Sequence, residues 1–301
     1  MHHQQQKAEA FLNRVLHGVE LIKPPLLGRR KLHALLGVNE CRADLRLCDV
    51  SARKKSAEIL FDVVGGLRAR FDSSGVQFRH ITFIDDIGIT SDRYPLLRFC
   101  ALKRKVDKAI RTLGLSALVF IEIQPLLNYP ALGEGRTLML HAHALCWGST
   151  SRRAYRSAKR ALNQSRSWQN KFGAEPVKDR HLRKFDDVLR IACYVAKLPH
   201  DGKIRVPVGE DKWRFRPTLQ GYPNRLALRI AEGLSHYSIF DAVFSVGEGR
   251  FYRLDWKRQL VDWHQKRLLR YGKGRRFDLA DFWQRRHRSG RFGYDKPFSV
   301  D

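Results

Sequence analysis

Two imidazoles and a carboxylate within one short stretch have the chemistry of a divalent-metal site. The stretch from Leu118 to Gly148 is rich in aliphatic residues and has proline and glycine near its middle, which predicts two paired β-strands. Alternate strand residues point to the same face, so His141 and His143 share a face of the second strand and Glu122 can stand opposite them. Gln124 lies on the same face as Glu122, so the register leaves the third ligand open. The group predicts an open site with room for water and substrate.

A tyrosine and a lysine about one helical turn apart add a nucleophile with a cationic helper. Residues 185–199, FDDVLRIACYVAKLP, have apolar side chains at helical spacing. The predicted buried stripe of this helix consists of Phe185, Leu189, Ala192 and Ala196. Arg190, Tyr194 and Lys197 are spaced to project from another common side, together with Asp187. The helix thus predicts a phenolic nucleophile beside two cations.

The order of these two patterns resembles the HUH endonucleases. Within that superfamily it is most similar to the single-tyrosine rolling-circle replication initiators of plasmids and small phages. The resemblance covers about residues 76–200, with a first strand HITFID at 80–85, a basic helix, the Glu122 strand, the His-Ala-His strand and the tyrosine helix. Each motif is short, and their order and separation carry the resemblance.

The resemblance implies a nuclease that nicks single-stranded origin DNA with the help of a metal ion. Tyr194 would attack the scissile phosphate, giving a 5′-phosphotyrosine link and a free 3′-hydroxyl that starts rolling-circle replication. His141, His143 and Glu122 would hold Mg²⁺ or Mn²⁺. Lys197 and Arg190 would stabilise the phenolate or the leaving charge.

The composition favours a folded protein with a polyanionic partner. The 301 residues include 57 Lys and Arg against 30 Asp and Glu, a formal net charge of +27, and 43% are hydrophobic. There is no apolar run of roughly eighteen residues and no signal-peptide pattern at the N-terminus, so we expect no membrane partner and a cytoplasmic location in a bacterial host. The five cysteines are odd in number and include no Cys-x-x-Cys pair, which argues against a disulfide framework.

Basic segments outside the motif residues predict contacts to DNA phosphates. The candidate DNA-binding residues are Arg152, Arg153, Arg156, Lys159, Arg160, Lys105, Arg275 and Arg276. Tyr155 and Trp168 are candidates for stacking on an unpaired base. The expected partner is single-stranded or cruciform origin DNA, with a host helicase and polymerase as further candidates. The sequence leaves monomer and dimer open, because only one tyrosine stands on the predicted helix face.

The expected fold class is α+β, an HUH-type central antiparallel sheet flanked by helices with basic extensions at both ends. We assign residues 1–75 to an N-terminal accessory region, 76–200 to the endonuclease core and 201–301 to a basic DNA-binding region. Local predictions are a helix from Ser51 interrupted at Gly65, a strand over 77–84 covered on both faces, and a helix over 94–113. Asp85 and Asp86 are expected in a solvated turn or helix start, and 172–180 in a loop. Two strands around Gly209 and helices over 224–235 and 254–271 follow.

Four alternatives compete with the nuclease hypothesis. His141, His143 and Cys146 are three of the ligands needed for a closed structural zinc site. The two histidines can also be ordinary strand residues satisfied by hydrogen bonds. A single-strand transposase shares the HUH chemistry, although the long basic flanks fit an initiator better. The last alternative, a basic DNA-binding regulator, has no nuclease activity.

Overall fold

The chain folds as an α+β protein whose sheet is flanked by helices, as predicted. The computed structural model describes residues 10–11, 13–15, 45–92, 95–129, 137–168, 174–192, 202–209, 212–218 and 222–270. The strands are β1 (Gln77–Ser91), β2 (Ser116–Leu126), β3 (Thr137–Gly148), β4 (Val177–His181), β5 (Lys203–Gly209), β6 (Lys212–Pro217) and β7 (Val243–Val246). The α-helices are α1 (Val50–Gly65), α2 (Arg68–Phe71), α3 (Phe99–Thr112), α4 (Arg152–Gln164), α5 (Phe185–Ala192), α6 (Asn224–Ser235) and α7 (Gly249–Arg270).

The described strands form one seven-stranded sheet with the His-Ala-His strand, β3, near its centre. The strand order is β4-β1-β3-β2-β5-β6, and β7 pairs with β2 along another part of the same strand. Every pairing is antiparallel except the short parallel contact between β2 and β5. Because β3 has a long partner on each side, its backbone groups are paired and its side chains are held in a fixed alternation.

The two faces of the sheet are covered by different helices. One face carries His141 and His143 and is called the ligand face. On this face Phe78 contacts Phe71, which in turn contacts Phe185 of α5, while Trp147 contacts Tyr252 of α7. Helix α1 packs against both α5 and α7. Helices α1, α5 and α7 therefore form the layer over the ligand face.

The opposite face carries the alternate residues of β1 and β3. Arg79 lies over the ring of Tyr155 from α4, and Phe83 contacts Trp168, which follows α4. Lys105 of α3 lies over the same Trp168 ring. Helices α3 and α4 therefore belong to the layer over the opposite face.

One hydrophobic cluster joins the three segments into which the sequence was divided. It includes Phe11 and Leu45 from the first segment, Trp147 from the second, and Ile230 and Leu260 from the third. The burial of such side chains is the main stabilising contribution to the fold. None of the helices in the described ranges is both long enough and apolar enough to cross a bilayer.

The strand after residue 76 is longer than the sequence predicted, and the prediction for Asp85 and Asp86 was wrong. Strand β1 continues through them to Ser91, with an irregularity in its pairing to β3 between Ile84 and Ile89. Asp85 is buried and pairs with Lys105. Residues 77–84 of β1 are all buried or half-buried, which agrees with the expectation of a strand covered on both faces.

Other element boundaries also differ from the predictions. Helix α1 begins after Asp49, whose side chain accepts a hydrogen bond from the Ala52 amide at 2.8 Å, rather than after Ser51. Helix α3 begins at Phe99, five residues later than expected. Within the predicted loop at 172–180, residues from Val177 onward form β4, which pairs with β1 at the sheet edge. The two strands around Gly209 and helix α6 are confirmed, and α7 begins five residues earlier than expected, at Gly249.

Gly88 is required where β1 passes β3. A β-carbon built at this position would lie closer than 3.0 Å to the Leu140 carbonyl oxygen, and Leu140 directly precedes a candidate metal ligand. We expect Gly88→Ala to lower the free energy of unfolding by about 2 kcal/mol or more, because the backbones must separate. Gly65→Ala is the control, since nothing lies within 4 Å of its β-carbon position and alanine favours helix. Urea unfolding of both variants checks the prediction, and equal midpoints would contradict it.

Candidate metal centre

The register between β2 and β3 selects Glu122 as the partner of the two histidines. Glu122 is directly opposite His141, while Gln124 is opposite Met139. His143 lies opposite Phe120, two residues along from that pair and on the same face. The pairing therefore places Glu122, rather than Gln124, directly beside the histidines.

The three side chains form a compact donor set. The Nε2 atom of His143 lies 3.0 Å from Oε2 of Glu122, and the Nε2 atom of His141 lies 3.6 Å from the same oxygen. One ligand atom from each residue falls within 4.8 Å of the others. Ligand bonds of about 2.0–2.2 Å place neighbouring donor atoms roughly 3 Å apart. The group therefore fits a divalent ion with little rearrangement, and two nitrogens with one oxygen suit several first-row metals.

His80 and Thr82 orient His143 from the neighbouring strand. The Nδ1 atom of His143 lies 3.0 Å from Nε2 of His80 and 3.2 Å from the Thr82 hydroxyl. These contacts turn the Nε2 atom of His143 toward Glu122. Thr82 is the direct cross-strand neighbour of His143 in the β1–β3 pairing. Neither residue was predicted to belong to the site, although the alternation of HITFID places both on one face.

Replacing His80 with alanine should weaken metal binding without removing a ligand. An outer partner of a ligating histidine fixes its ring orientation, and losing such a partner costs about tenfold to a hundredfold in affinity. We expect His80→Ala to raise the Mn²⁺ dissociation constant, measured by isothermal titration calorimetry, by about that factor. His181→Ala, which removes a histidine opposite Arg79 on the other face, should leave the constant unchanged. Equal affinities for the two variants would show that His80 does not position His143.

A buried arginine acts on the carboxylate of the site. Arg53 of α1 is buried and donates a hydrogen bond to the Leu47 carbonyl at 3.1 Å. Burial lowers the pKa of Arg53 to about 10, and the charge of Glu122 opposes that shift. Arg53 therefore remains a cation at neutral pH and supplies positive charge close to the ligand group. Nothing in the SARKKS segment distinguished it from its basic neighbours.

The ligand group is covered rather than open. Glu122, His141 and His143 are 3%, 4% and 8% exposed. The sequence had predicted room for water and substrate beside the ligands. The three side chains instead lie inside the fold, with little surface in contact with solvent.

Cys146 does not extend the ligand group. It lies an odd number of residues from both histidines on β3, so its side chain points to the opposite face. Its cross-strand neighbours are Arg79 and Ala117, and burial raises the pKa of its thiol. The zinc site of His141, His143 and Cys146 considered from the sequence is therefore not formed.

The candidate catalytic residues lie on or beyond α5. Of its predicted buried stripe, Ala192 is buried, whereas Phe185 and Leu189 are half-buried. The side chain of Arg190 is 79% exposed and lies 3.5 Å from Asp187, so the structure does not bring it to the ligand group. Tyr194 and Lys197 lie outside the described residues, as does Ala196. The helix that leads to them packs against β1 and β3.

The candidate DNA-binding residues occupy three places. Arg152, Arg156 and Lys159 line a cleft beside β4, while Arg153 and Arg160 are exposed on α4 outside its lining. Lys105 pairs with buried Asp85 and covers the Trp168 ring. Arg275 and Arg276 lie outside the described residues.

The two aromatic residues proposed to stack on bases are not available for stacking. Tyr155 is 3% exposed and Trp168 is 6% exposed. Tyr155 lies beneath Arg79, and Trp168 packs against Phe83. Both belong to the core under the opposite face, so this prediction was wrong.

Comparisons with protein-family models, with curated proteins and with solved structures find no match to this chain.

Proposed function

We propose that this protein is a metal-dependent endonuclease that nicks single-stranded origin DNA and initiates rolling-circle replication. The observation that carries the proposal is the group of Glu122, His141 and His143 on the central strands of the sheet. A helix that packs on those strands ends its described part at Ala192, two residues before Tyr194 in the sequence. This combination supports the resemblance to single-tyrosine HUH initiators.

In the proposed reaction, Glu122, His141 and His143 would hold Mg²⁺ or Mn²⁺, and Tyr194 would be the nucleophile. The ion would neutralise charge on the scissile phosphate. The Tyr194 oxygen forms a bond to phosphorus, the bond from phosphorus to the 3′-oxygen breaks, and the tyrosine proton ends on the released 3′-hydroxyl. A phenol with an ordinary pKa of about 10 is mostly protonated at neutral pH, so Lys197 would help by stabilising the developing phenolate.

The burial of the ligand group favours a second candidate, a basic DNA-binding protein without nuclease activity. In that case Glu122 and the histidines form a buried polar group inside the fold, in which Nε2 of His143 lies 3.0 Å from Glu122 and Nδ1 of His143 contacts His80 and Thr82. Both candidates predict DNA binding that weakens with salt. They differ in whether DNA becomes covalently attached.

The test is a covalent-adduct assay with the full chain. The purified protein is incubated with end-labelled single-stranded DNA carrying candidate origin hairpins, in Mn²⁺ or in EDTA, and separated on denaturing gels. The proposal requires a protein–DNA band that forms in Mn²⁺ and is absent in EDTA. Tight binding without an adduct, across a broad set of origin sequences, would favour the non-catalytic candidate.

A further inference from the structure

A strongly basic cleft lies away from the metal centre, between α4, β4 and the beginning of β1. Its volume is about 500 Å³, the size of pockets that hold small ligands. The charged residues that matter most in its lining are Arg79, Arg152, Arg156, Lys159, Asp179 and Arg183. Five permanent cations therefore face one carboxylate.

The cleft opens on the opposite face of the sheet from the metal ligands. Arg79 alternates with His80 along β1, and His80 contacts His143 on the ligand face. Arg79 is paired directly with His181 of β4, which also lines the cleft. The two sites are thus separated by the thickness of the sheet.

The floor of the cleft is held by a fixed ionic network. Asp179 accepts hydrogen bonds from Arg79 at 2.7 Å and from Lys159 at 2.8 Å, and the Arg79 guanidinium lies 4.0 Å from the centre of the Tyr155 ring. Burial alone would raise the pKa of Asp179, but the hydrogen bond from Lys159 and the charges of Lys159 and Arg79 lower it. The carboxylate therefore stays ionised and anchors two cations before any ligand arrives.

The rim of the cleft carries the cations that remain available. Arg152, Arg156 and Arg183 are exposed, and none of them forms an ion pair with any residue in the described part of the chain. Guanidinium groups match the oxygens of phosphate in charge and geometry. Tyr155 is covered by Arg79, so the cleft floor does not offer its ring to a base.

We propose that this cleft binds backbone phosphates of a nucleic-acid strand, at a second site distinct from the one where cleavage occurs. Because it provides cations without a stacking platform, binding there is independent of base sequence. The identity of the strand as the nuclease substrate rests on the proposed function. A strand held at both sites would pass around β4, the edge strand of the described sheet on this side.

The test compares two triple variants with the same change in net charge. The rim variant, Arg152→Ala/Arg156→Ala/Arg183→Ala, removes the three exposed arginines of the cleft. The control variant, Arg153→Ala/Arg160→Ala/Arg166→Ala, removes three exposed arginines that do not line the cleft. Binding of a labelled, mixed-sequence 30-nucleotide single strand is followed by fluorescence anisotropy in EDTA over a range of salt concentrations. Each lost phosphate contact lowers by about 0.7 the slope of the logarithm of the binding constant against the logarithm of salt concentration. Losing three contacts should therefore lower the slope of the rim variant by about two. The rim variant should bind the strand roughly a hundredfold more weakly than the wild type near 0.1 M salt.

The control variant should lose clearly less affinity than the rim variant. Equal losses would mean that only overall charge matters, and unchanged affinity of the rim variant would also overturn the inference. If mixed deoxynucleoside monophosphates displaced the strand at an equal concentration of phosphate groups, the cleft would be a site for free anions instead.

Failure of this inference can be told apart from failure of the proposed function. Anisotropy in EDTA needs neither metal nor Tyr194, so a wild-type protein that forms no adduct can still show binding that depends on the cleft. Conversely, if the rim variant had unchanged DNA affinity and a normal adduct yield, the proposal that the cleft binds phosphates would be refuted. The proposed nuclease function would be unaffected.

Discussion

Replacing both His141 and His143 with alanine should abolish specific Mn²⁺ binding and, with it, any covalent adduct. The two imidazole nitrogens and the Glu122 oxygen are the donors that lie within 4.8 Å of one another. Removing two of the three donors leaves a single carboxylate. Mn²⁺ affinity should therefore fall by more than the roughly hundredfold factor that the loss of an outer partner can cost. Isothermal titration calorimetry with Mn²⁺ measures the affinity. The adduct gel measures the chemistry.

Two further variants separate a metal effect from a folding defect. Both histidines are buried, and alanine there leaves cavities that lower stability. Glu122→Gln keeps the volume and removes the charge, so it should weaken Mn²⁺ binding with less effect on packing. Gln124→Ala is the control on the same face, because Gln124 faces Met139 rather than a histidine. If the double alanine variant folded and bound Mn²⁺ as tightly as the wild type, the assignment of His141 and His143 as metal ligands would be wrong.

Metal binding should also increase the stability of the folded protein. A ligand that binds only the folded state raises the free energy of unfolding by about 2.7 kcal/mol at one hundred times its dissociation constant. Saturating Mn²⁺ should therefore raise the melting temperature of the wild type and leave that of the double alanine variant unchanged. A similar rise in both proteins would place the bound ion elsewhere.

The ligand group could be predicted because it depends on local periodicity. Alternation along two strands put His141, His143 and Glu122 on one face, and a Pro/Gly-rich connection indicated that the strands pair. The register could not be predicted, since the loop length alone does not fix it and Gln124 also satisfied the alternation. Pairing over the full length of β2 and β3 decides it.

The residues around the ligands come from strands and helices distant in the sequence. His80 and Thr82 contact His143 from β1, and the charge of Glu122 acts on Arg53 of α1. Asp85 and Asp86 were expected in a solvated turn or helix start because a pair of acids after a strand is usually solvated, yet both lie within β1, where Asp85 is buried and pairs with Lys105. Each of these depends on a tertiary contact that local patterns do not encode.

The basic cleft, too, could be predicted only in part from local sequence patterns. The arginines of α4 were predicted from a helical segment with almost no acid, whereas Arg79, Asp179 and Arg183 became part of the cleft through the pairing of β4 with β1. Because that segment was expected to be a loop, the ionic network was not predicted. A short edge strand with little burial has a weak sequence signal.

Replacing Tyr194 with phenylalanine should remove the covalent adduct while Mn²⁺ and DNA affinities stay within about twofold, because only the attacking oxygen is lost. The readout is the same denaturing gel, with calorimetry and anisotropy as the two binding measurements. The pattern differs from that of the histidine variant, which should lose metal binding and adduct together. A loss of DNA affinity in Tyr194→Phe would instead indicate a binding role for the hydroxyl.

Two other tyrosines, Tyr129 and Tyr155, are poor replacements for Tyr194 as the nucleophile. Burial raises the pKa of Tyr129, with the charge of Asp86 adding to the shift, and burial together with Asp179 raises the pKa of Tyr155. Both side chains are less than a tenth exposed, and Tyr155 lies on the opposite face from the metal ligands. Tyr155→Phe is therefore expected to keep the adduct. An adduct that persists in Tyr194→Phe and disappears in Tyr155→Phe would move the chemistry to the basic cleft and overturn the assignment of the metal centre as the place of cleavage.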